Sequence, residues 1–251
     1  MMLGILNKDS GSIEWNGKPV KRENVNFGYL PEERGIYPKV KIGEQLVYFG
    51  KLKGMNKTEA NEAVIRWCKR LKVYEFIDKR AEQLSKGNQQ KIQFISALIS
   101  HPELLVLDEP FSGLDPVNTE LMKNVIEELI QENTYIVLSS HQMPVVEEYC
   151  RDILLLNKGK SLLKGNLAEI KKSYGRNNVS IVTNEDILSY LKPGMELVNK
   201  TVNTYEIKVE SEDMANSLLK ELVTNQIKIE KFEMKEPSLQ EIFIEKVGGD
   251  Q

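Results

Sequence analysis

Four apolar residues stand in unbroken succession at Leu104-Leu105-Val106-Leu107, and similar runs occur at Tyr135-Ile136-Val137-Leu138 and at Ile153 to Leu156. The first two, lacking polar alternation, predict strands of a parallel sheet covered on both faces. Between them, Val117, Leu121, Met122, Val125, Ile126, Leu129 and Ile130 recur mostly at spacings of three and four. That spacing predicts an amphipathic crossover helix, and with it a right-handed βαβ unit. Upstream, Ser12 to Trp15 and Phe27 to Leu30 predict short strands, the first closed by an Asn16-Gly17 turn. From Ile42 to about Leu71 the period becomes helical, broken at Gly54, which predicts a helical subdomain inserted between strands and reaching to about residue 100. After Ile153 to Leu156, Asn157-Lys158-Gly159-Lys160 predicts a hairpin.

The polar stretch Lys171 to Asn178 contains glycine and predicts a linker, which divides the chain into domains at 1–172 and 177–251. Beyond it, strands are expected at Val179–Val182, Glu196–Val198, Tyr205–Val209 and Ile227–Phe232. Helices are expected at Glu185–Leu191, Met214–Leu222 and Leu239–Val247. A β-α-β-β-α-β order of this kind predicts a small ferredoxin-like α+β domain behind an α/β core.

Composition narrows the function classes. The 251 residues carry 34 Lys+Arg and 37 Asp+Glu for a net charge of −3, so nothing global draws the chain to nucleic acid or an anionic membrane. No apolar run approaches the ~18–20 residues of a membrane span, so a membrane role would come through a partner. Cys68 and Cys150 lie far apart without metal-ligand spacing, which suits a reducing, cytosolic setting. Met1 to Leu6 are apolar but meet Lys8-Asp9 at once; they read as the tail of a helix and not as a signal peptide.

Two segments carry chemistry. Asp108 and Glu109 follow the first apolar strand directly, where open α/β sheets bind ligands, and burying two adjacent carboxylates demands a cation or a proton. Asp108 suits Mg²⁺, and Glu109 suits polarisation of an attacking water. Earlier, Leu84-Ser85-Lys86-Gly87-Asn88-Gln89-Gln90-Lys91 leads into Ile92, Phe94, Ile95, Leu98 and Ile99. Ser85 is a good N-cap and Gly87 lets backbone amides approach an anion, so this helix start can hold phosphate.

Ser85 to Gln90 resembles the signature motif of ABC-type ATPases. Leu104 to Glu109 is similar to their Walker B strand, Ser112-Gly113-Leu114-Asp115 to their D-loop, and Ser140-His141 to their switch histidine. The four occur in the family's order and spacing, and the likeness covers roughly residues 1–170. Pro237 to Phe243 resembles the tail of bacterial export-type ATP-binding subunits, including the sodium-efflux group. The resemblance implies a P-loop NTPase core with ATP and Mg²⁺ as cofactors. It implies Asp108 on the metal through water, Glu109 on the hydrolytic water and His141 at the γ-phosphate. Ser85, Gly87 and Asn88 would address nucleotide held mainly by an opposing subunit, with Asp115 at the dimer seam. It further implies membrane-spanning permease partners, a homodimer or paired ABC subunit, and a cytoplasmic place at the inner face of the membrane.

His101, before Pro102 and outside every matched motif, is read as structural. Gly28-Tyr29-Leu30-Pro31-Glu32 matches the Q-loop region, with Glu32 where the family has glutamine, so Glu32 is a second metal candidate. Lys86 replaces the first signature glycine and is expected in solvent. No G-x-x-x-x-G-K-[ST] occurs in the chain; Gly159-Lys160-Ser161 continues a hairpin and opens no helix. The expectation is that the sequence begins just after that loop, through truncation, a misplaced start codon or gene decay, and that the central sheet keeps an open edge. An alternative reading follows: a non-catalytic or remnant subunit that completes a partner's site without holding nucleotide itself.

Overall fold

The computed structural model describes residues 3, 7–20, 25–33 and 35–248, and the chain divides into two compact units, residues 1–141 and 142–251. Of Met1 to Leu6, the expected helix tail, all but the buried Leu3 lie outside the described residues. No helix among the described residues is long and apolar enough to cross a membrane.

The first unit opens on a hairpin of β1 (Glu14–Trp15) and β2 (Lys18–Pro19), turned by Asn16 and Gly17 at φ 51° and 73°. Positive φ at both central residues is what a primed hairpin turn requires. After β3 (Phe27–Leu30) come α1 (Ile42–Leu52) and α2 (Lys57–Arg70), broken at Gly54 as expected. Asn56 starts α2 with a capping box: its side chain accepts from the Thr58 and Glu59 amides, and Glu59 accepts from the Asn56 amide. Then follow α3 (Lys86–Leu98), β4 (Leu104–Asp108), α4 (Pro116–Gln131) and β5 (Tyr135–Ser139).

Strands β3, β4 and β5 form a parallel sheet in that order, with Leu30 opposite Leu107 and Asp108 opposite Ser139. Helix α3 buries Ile92, Phe94, Ile95 and Leu98 and lies very close to β3. A Cβ on Gly28 would come within 2.1 Å of the Ala97 carbonyl oxygen, so only glycine permits the approach. One expectation needs correction. Strand β5 is not covered on both faces, since Tyr135 is 64 % and Val137 41 % exposed. Among the described residues it pairs only with β4.

The second unit contains α5 (Met143–Tyr149), the hairpin of β6 (Asp152–Asn157) and β7 (Lys160–Asn166), and α6 (Leu167–Ser173). Lys171 to Ser173 therefore belong to a helix, and the expected linker shrinks to the few residues before β8 (Asn178–Val182). With β9 (Met195–Lys200), β10 (Thr204–Val209), α7 (Glu212–Thr224) and β11 (Lys231–Lys235), β8 builds an antiparallel sheet of order β11-β8-β10-β9. This is the ferredoxin-like order expected. Val179, Ile181, Tyr205, Ile207 and Val209 meet Ala215, Leu218 and Leu222 of α7 in its core, and α8 (Leu239–Gly248) closes the chain.

Two details of this unit also differ from expectation. The helix expected at Glu185–Leu191 is a single 3-10 turn, Leu188–Tyr190, because the Asp186 carboxylate accepts from the Leu188 amide and ends the extended chain there. The last strand begins at Lys231 and not Ile227, since pairing with β8 runs from Lys231 opposite Val182 to Lys235 opposite Asn178. Ile227 and Ile229 instead pack on the core.

Candidate active site

The carboxyl edge of β3–β4–β5 gathers the acidic residues. Register places Asp108 beside Ser139, and the Asp108 carboxylate accepts from the Ser139 hydroxyl. Glu109 follows in the left-handed region at φ 44° and is 8 % exposed. Non-glycine residues hold that conformation only where surrounding bonds fix it. Here the Glu109 amide donates to the Ser139 carbonyl at 3.0 Å, and the Ser112 amide donates to the Glu109 carbonyl at 3.1 Å.

The Glu109 side chain is seated by three donors. Its Oε1 accepts from the His141 amide at 2.6 Å and from His141 Nδ1 at 2.7 Å, and its Oε2 accepts from the Ser140 hydroxyl at 3.1 Å. A carboxylate offers about four acceptor directions, so one remains, on Oε2, for a further donor such as water. Because an ionised carboxylate only accepts, the contact makes Nδ1 the protonated nitrogen of His141. Nε2 is left for another partner on a side chain 78 % exposed.

Glu32 lies exposed two residues past the end of β3, on the same sheet edge. Among the described residues no three acidic, histidine or cysteine side chains converge as a metal cage. Asp108 and Glu32 are both carboxylates, the donor type of Mg²⁺, which takes one or two of them and completes its shell with phosphate oxygens and water.

Ser85, Gly87 and Asn88 form the first turn of α3. Ser85 caps the helix, accepting from the Asn88 amide at 3.3 Å, and both Ser85 and Lys86 are exposed, the latter as expected. A Cβ on Gly87 would meet nothing closer than Leu114 at 3.5 Å, so internal packing does not require a glycine there. Asp115 caps α4, accepting from the Asn118 amide at 2.9 Å. Hydrogen bonds from the Asn118 backbone and side chain hold its carboxyl below the ordinary range. Behind this turn the buried Lys91 ammonium is pushed down by desolvation, with the Asp115 charge the main opposing influence. Asp108, Glu109 and His141 thus stand together at the sheet edge. Ser85, Gly87 and Asn88 share a second place, where Gly87 faces the 113–114 turn just before Asp115.

Two residues absent from the expected set tie these places to the scaffold. Gln90 donates to the Pro110 carbonyl at 3.1 Å, just after Glu109. Gln93 donates to the carbonyls of Pro31 and Glu33 at 2.8 and 3.0 Å and accepts from the Gly35 amide at 3.2 Å, pinning the loop that carries Glu32. Their signal in the sequence is two amides three apart on the face that carries Phe94, since buried polar groups need partners. His101, expected to be structural, lies with its ring 6.5 Å from that of Trp67, and the Arg66 guanidinium donates to its Nε2.

Residues 1–112 match the ABC transporter family model, and residues 165–247 match that of the ATP-binding protein DrrA1-3-like C-terminal domain. Over 252 residues the chain is 47 % identical to the uncharacterized ABC transporter ATP-binding protein YhaQ of Bacillus subtilis, covering 99 % of this chain and 84 % of that protein. The chain belongs to the ABC transporter ATP-binding proteins. Another member of this group, the linearmycin resistance ATP-binding protein LnrL of Bacillus subtilis, is 26 % identical over 99 % of this chain and 84 % of its own. A solved ATP-binding subunit of an ABC transporter superposes with a TM-score of 0.63 at 25 % identity, covering 69 % of this chain and 74 % of that one. The P-loop NTPase fold of ABC ATPases is thus the fold of this ABC protein's core.

Proposed function

We propose that this ABC protein hydrolyses ATP to drive export through membrane-spanning permease subunits, working as a dimer or with a paired ABC subunit at the cytoplasmic face of the membrane. Residues 1–172 act as the ATPase domain and 177–251 as an accessory domain. The observation that carries the reading is the seat of Glu109, whose carboxylate is oriented by His141 and Ser140 with one acceptor direction open. Glu109 accepts the proton of the attacking water from that direction, and His141, which orients it, lies at the γ-phosphate. Asp108 would hold Mg²⁺, with Glu32 a second candidate ligand on the same sheet edge, and the ion would neutralise charge on the phosphate oxygens. Ser85, Gly87 and Asn88 present a helix N-terminus to nucleotide on the opposing subunit, and Asp115 lies at the seam between the two. Export is supported by the DrrA-like C-terminal match and by the likeness to LnrL, a linearmycin resistance ATP-binding protein.

The test is Glu109→Gln in the transporter assembled with its membrane subunits. The amide keeps the shape and loses the base, so turnover falls about 10²–10⁴-fold while Mg-ATP binding is retained. Turnover comparable to that of the parent would take Glu109 out of the role.

A further inference from the structure

Within the second unit the last helix, α8, begins on α5. Its first residue, Leu239, is 1 % exposed and shares a small core with Ile153 and Leu167, against which Met143 and Val146 of α5 also pack. Ser238 and Glu241 cap the helix reciprocally. The Glu241 amide donates to the Ser238 hydroxyl at 3.2 Å, and the Ser238 amide donates to the Glu241 carboxylate at 2.7 Å. The Leu239 amide lies outside that cap and donates to the carboxylate of Glu147 on α5, 92 positions earlier in the chain. Lys171 of α6 reaches the same Glu147 oxygen at 3.4 Å. Amides at a helix start have no partner inside the helix, and a carboxylate there also meets the positive end of the helix dipole.

Helix α5 has little else to keep it formed. It is seven residues long, has no side-chain hydrogen bond at its N-cap and contains no fully buried residue. Helices that short are not stable by themselves in water, so α5 depends on what is bound to it. Its first turn takes in Gln142, whose carbonyl accepts from the Val145 and Val146 amides at 3.0 and 3.3 Å. Gln142 directly follows His141, whose amide and Nδ1 seat the Glu109 carboxylate. One residue of chain therefore separates the donors on Glu109 from the helix that α8 holds.

We infer that Glu147 is a positioning residue for hydrolysis: by accepting the Leu239 amide it keeps α5 formed, and α5 holds His141 where it seats Glu109. The C-terminal domain thus acts on the ATPase through the first residue of α8. The inference rests on the roles proposed above for Glu109 and His141.

The chain has two histidines, so ¹⁵N-histidine labelling of the full chain reads the seat at His141, with His101, bound to Arg66, as internal control. Above the ordinary imidazole pKa of ~6.5, the parent should carry the His141 proton on Nδ1, the tautomer that Glu109 fixes. Glu147→Ala should move about half or more of the His141 population to the Nε2–H tautomer that free histidine favours, and leave His101 in place. Glu147→Gln, whose amide oxygen still accepts from Leu239, should keep His141 close to the parent. A parent His141 without the Nδ1 proton would overturn the Glu109 seat, and the proposed function with it. A parent that shows the seat, beside a Glu147→Ala variant that keeps it, would overturn the inference alone. So would a glutamine variant displaced as far as alanine. Should Glu147→Ala fail to fold, Glu147→Asp takes its place, its carboxylate one methylene short of Leu239. A smaller shift in the same direction is expected there, and none at all would overturn the inference.

Discussion

Replacing Gln93 by leucine isolates what one buried amide does for the loop after β3. Its side chain makes three hydrogen bonds to that loop, to the Pro31 and Glu33 carbonyls and the Gly35 amide. Three neutral bonds at a net ~0.5–1.5 kcal/mol each set the upper scale of the loss. Two effects reduce it. Glu33 and Gly35 are exposed, so water takes over part of the bonding, and Gln93 is 2 % exposed, so leucine of similar volume gains from the same burial. The balance is a destabilisation of about 1–2 kcal/mol. Both tryptophans lie in residues 1–141, so urea unfolding followed by indole fluorescence reads that unit alone. With a slope of about 2 kcal/mol per molar urea, the midpoint should fall by about 0.5–1 M. Gln93→Glu sharpens the reasoning. The carboxylate still accepts from Gly35 but turns an acceptor toward two carbonyls, so it should cost more than leucine. A leucine midpoint within about 0.2 M of the parent, or a glutamate variant milder than leucine, would refute the clamp.

Further predictions separate fold from function. Gly28→Ala forces a Cβ toward the Ala97 carbonyl oxygen, 2.1 Å away if nothing moves, and β3 and α3 must part. It should lose about 2–3 kcal/mol in the same urea experiment, and a neutral result would contradict the close approach. Gly87→Ala meets nothing tighter than 3.5 Å, so stability should stay within about 0.5 kcal/mol while ATP turnover of the assembled transporter drops. Unchanged turnover would detach the α3 start from nucleotide. Burial pushes the Cys68 thiol up to about 12, whereas Cys150, shifted upward by the same cause, is only partly buried. Alkylation at mildly alkaline pH followed by peptide mass spectrometry should therefore mark Cys150 first and Cys68 only after unfolding; early labelling of Cys68 would overturn the assignment.

Much of the architecture was legible because it rests on local physics. The period of three and four between Val117 and Ile130 belongs to α4, and the Asn16-Gly17 and Lys158-Gly159 turns follow from backbone freedom at positive φ. The ferredoxin-like order was legible as a succession of periods even where single boundaries shifted. What failed depended on distant partners. Ile227 and Ile229 look like strand residues, yet the hydrogen-bond register with β8 starts only at Lys231. The apolar run of β5 looks buried on both faces, yet its exposure depends on which strands stand beside it.

For the site, the residue order alone picked out a carboxylate pair after an apolar strand and a capped helix with glycine in its first turn, short-range patterns that spacing is enough to name; the histidine after the next strand was singled out by the resemblance to ABC-type ATPases. Only the tertiary structure decided how they are held. The three donors on Glu109, the Gln90 and Gln93 clamps and the bond from the Leu239 amide to Glu147 join residues 20 to 92 positions apart. Such contacts follow from which faces pack together, because a hydrogen bond is set by distance in space and a linear pattern records only distance along the chain.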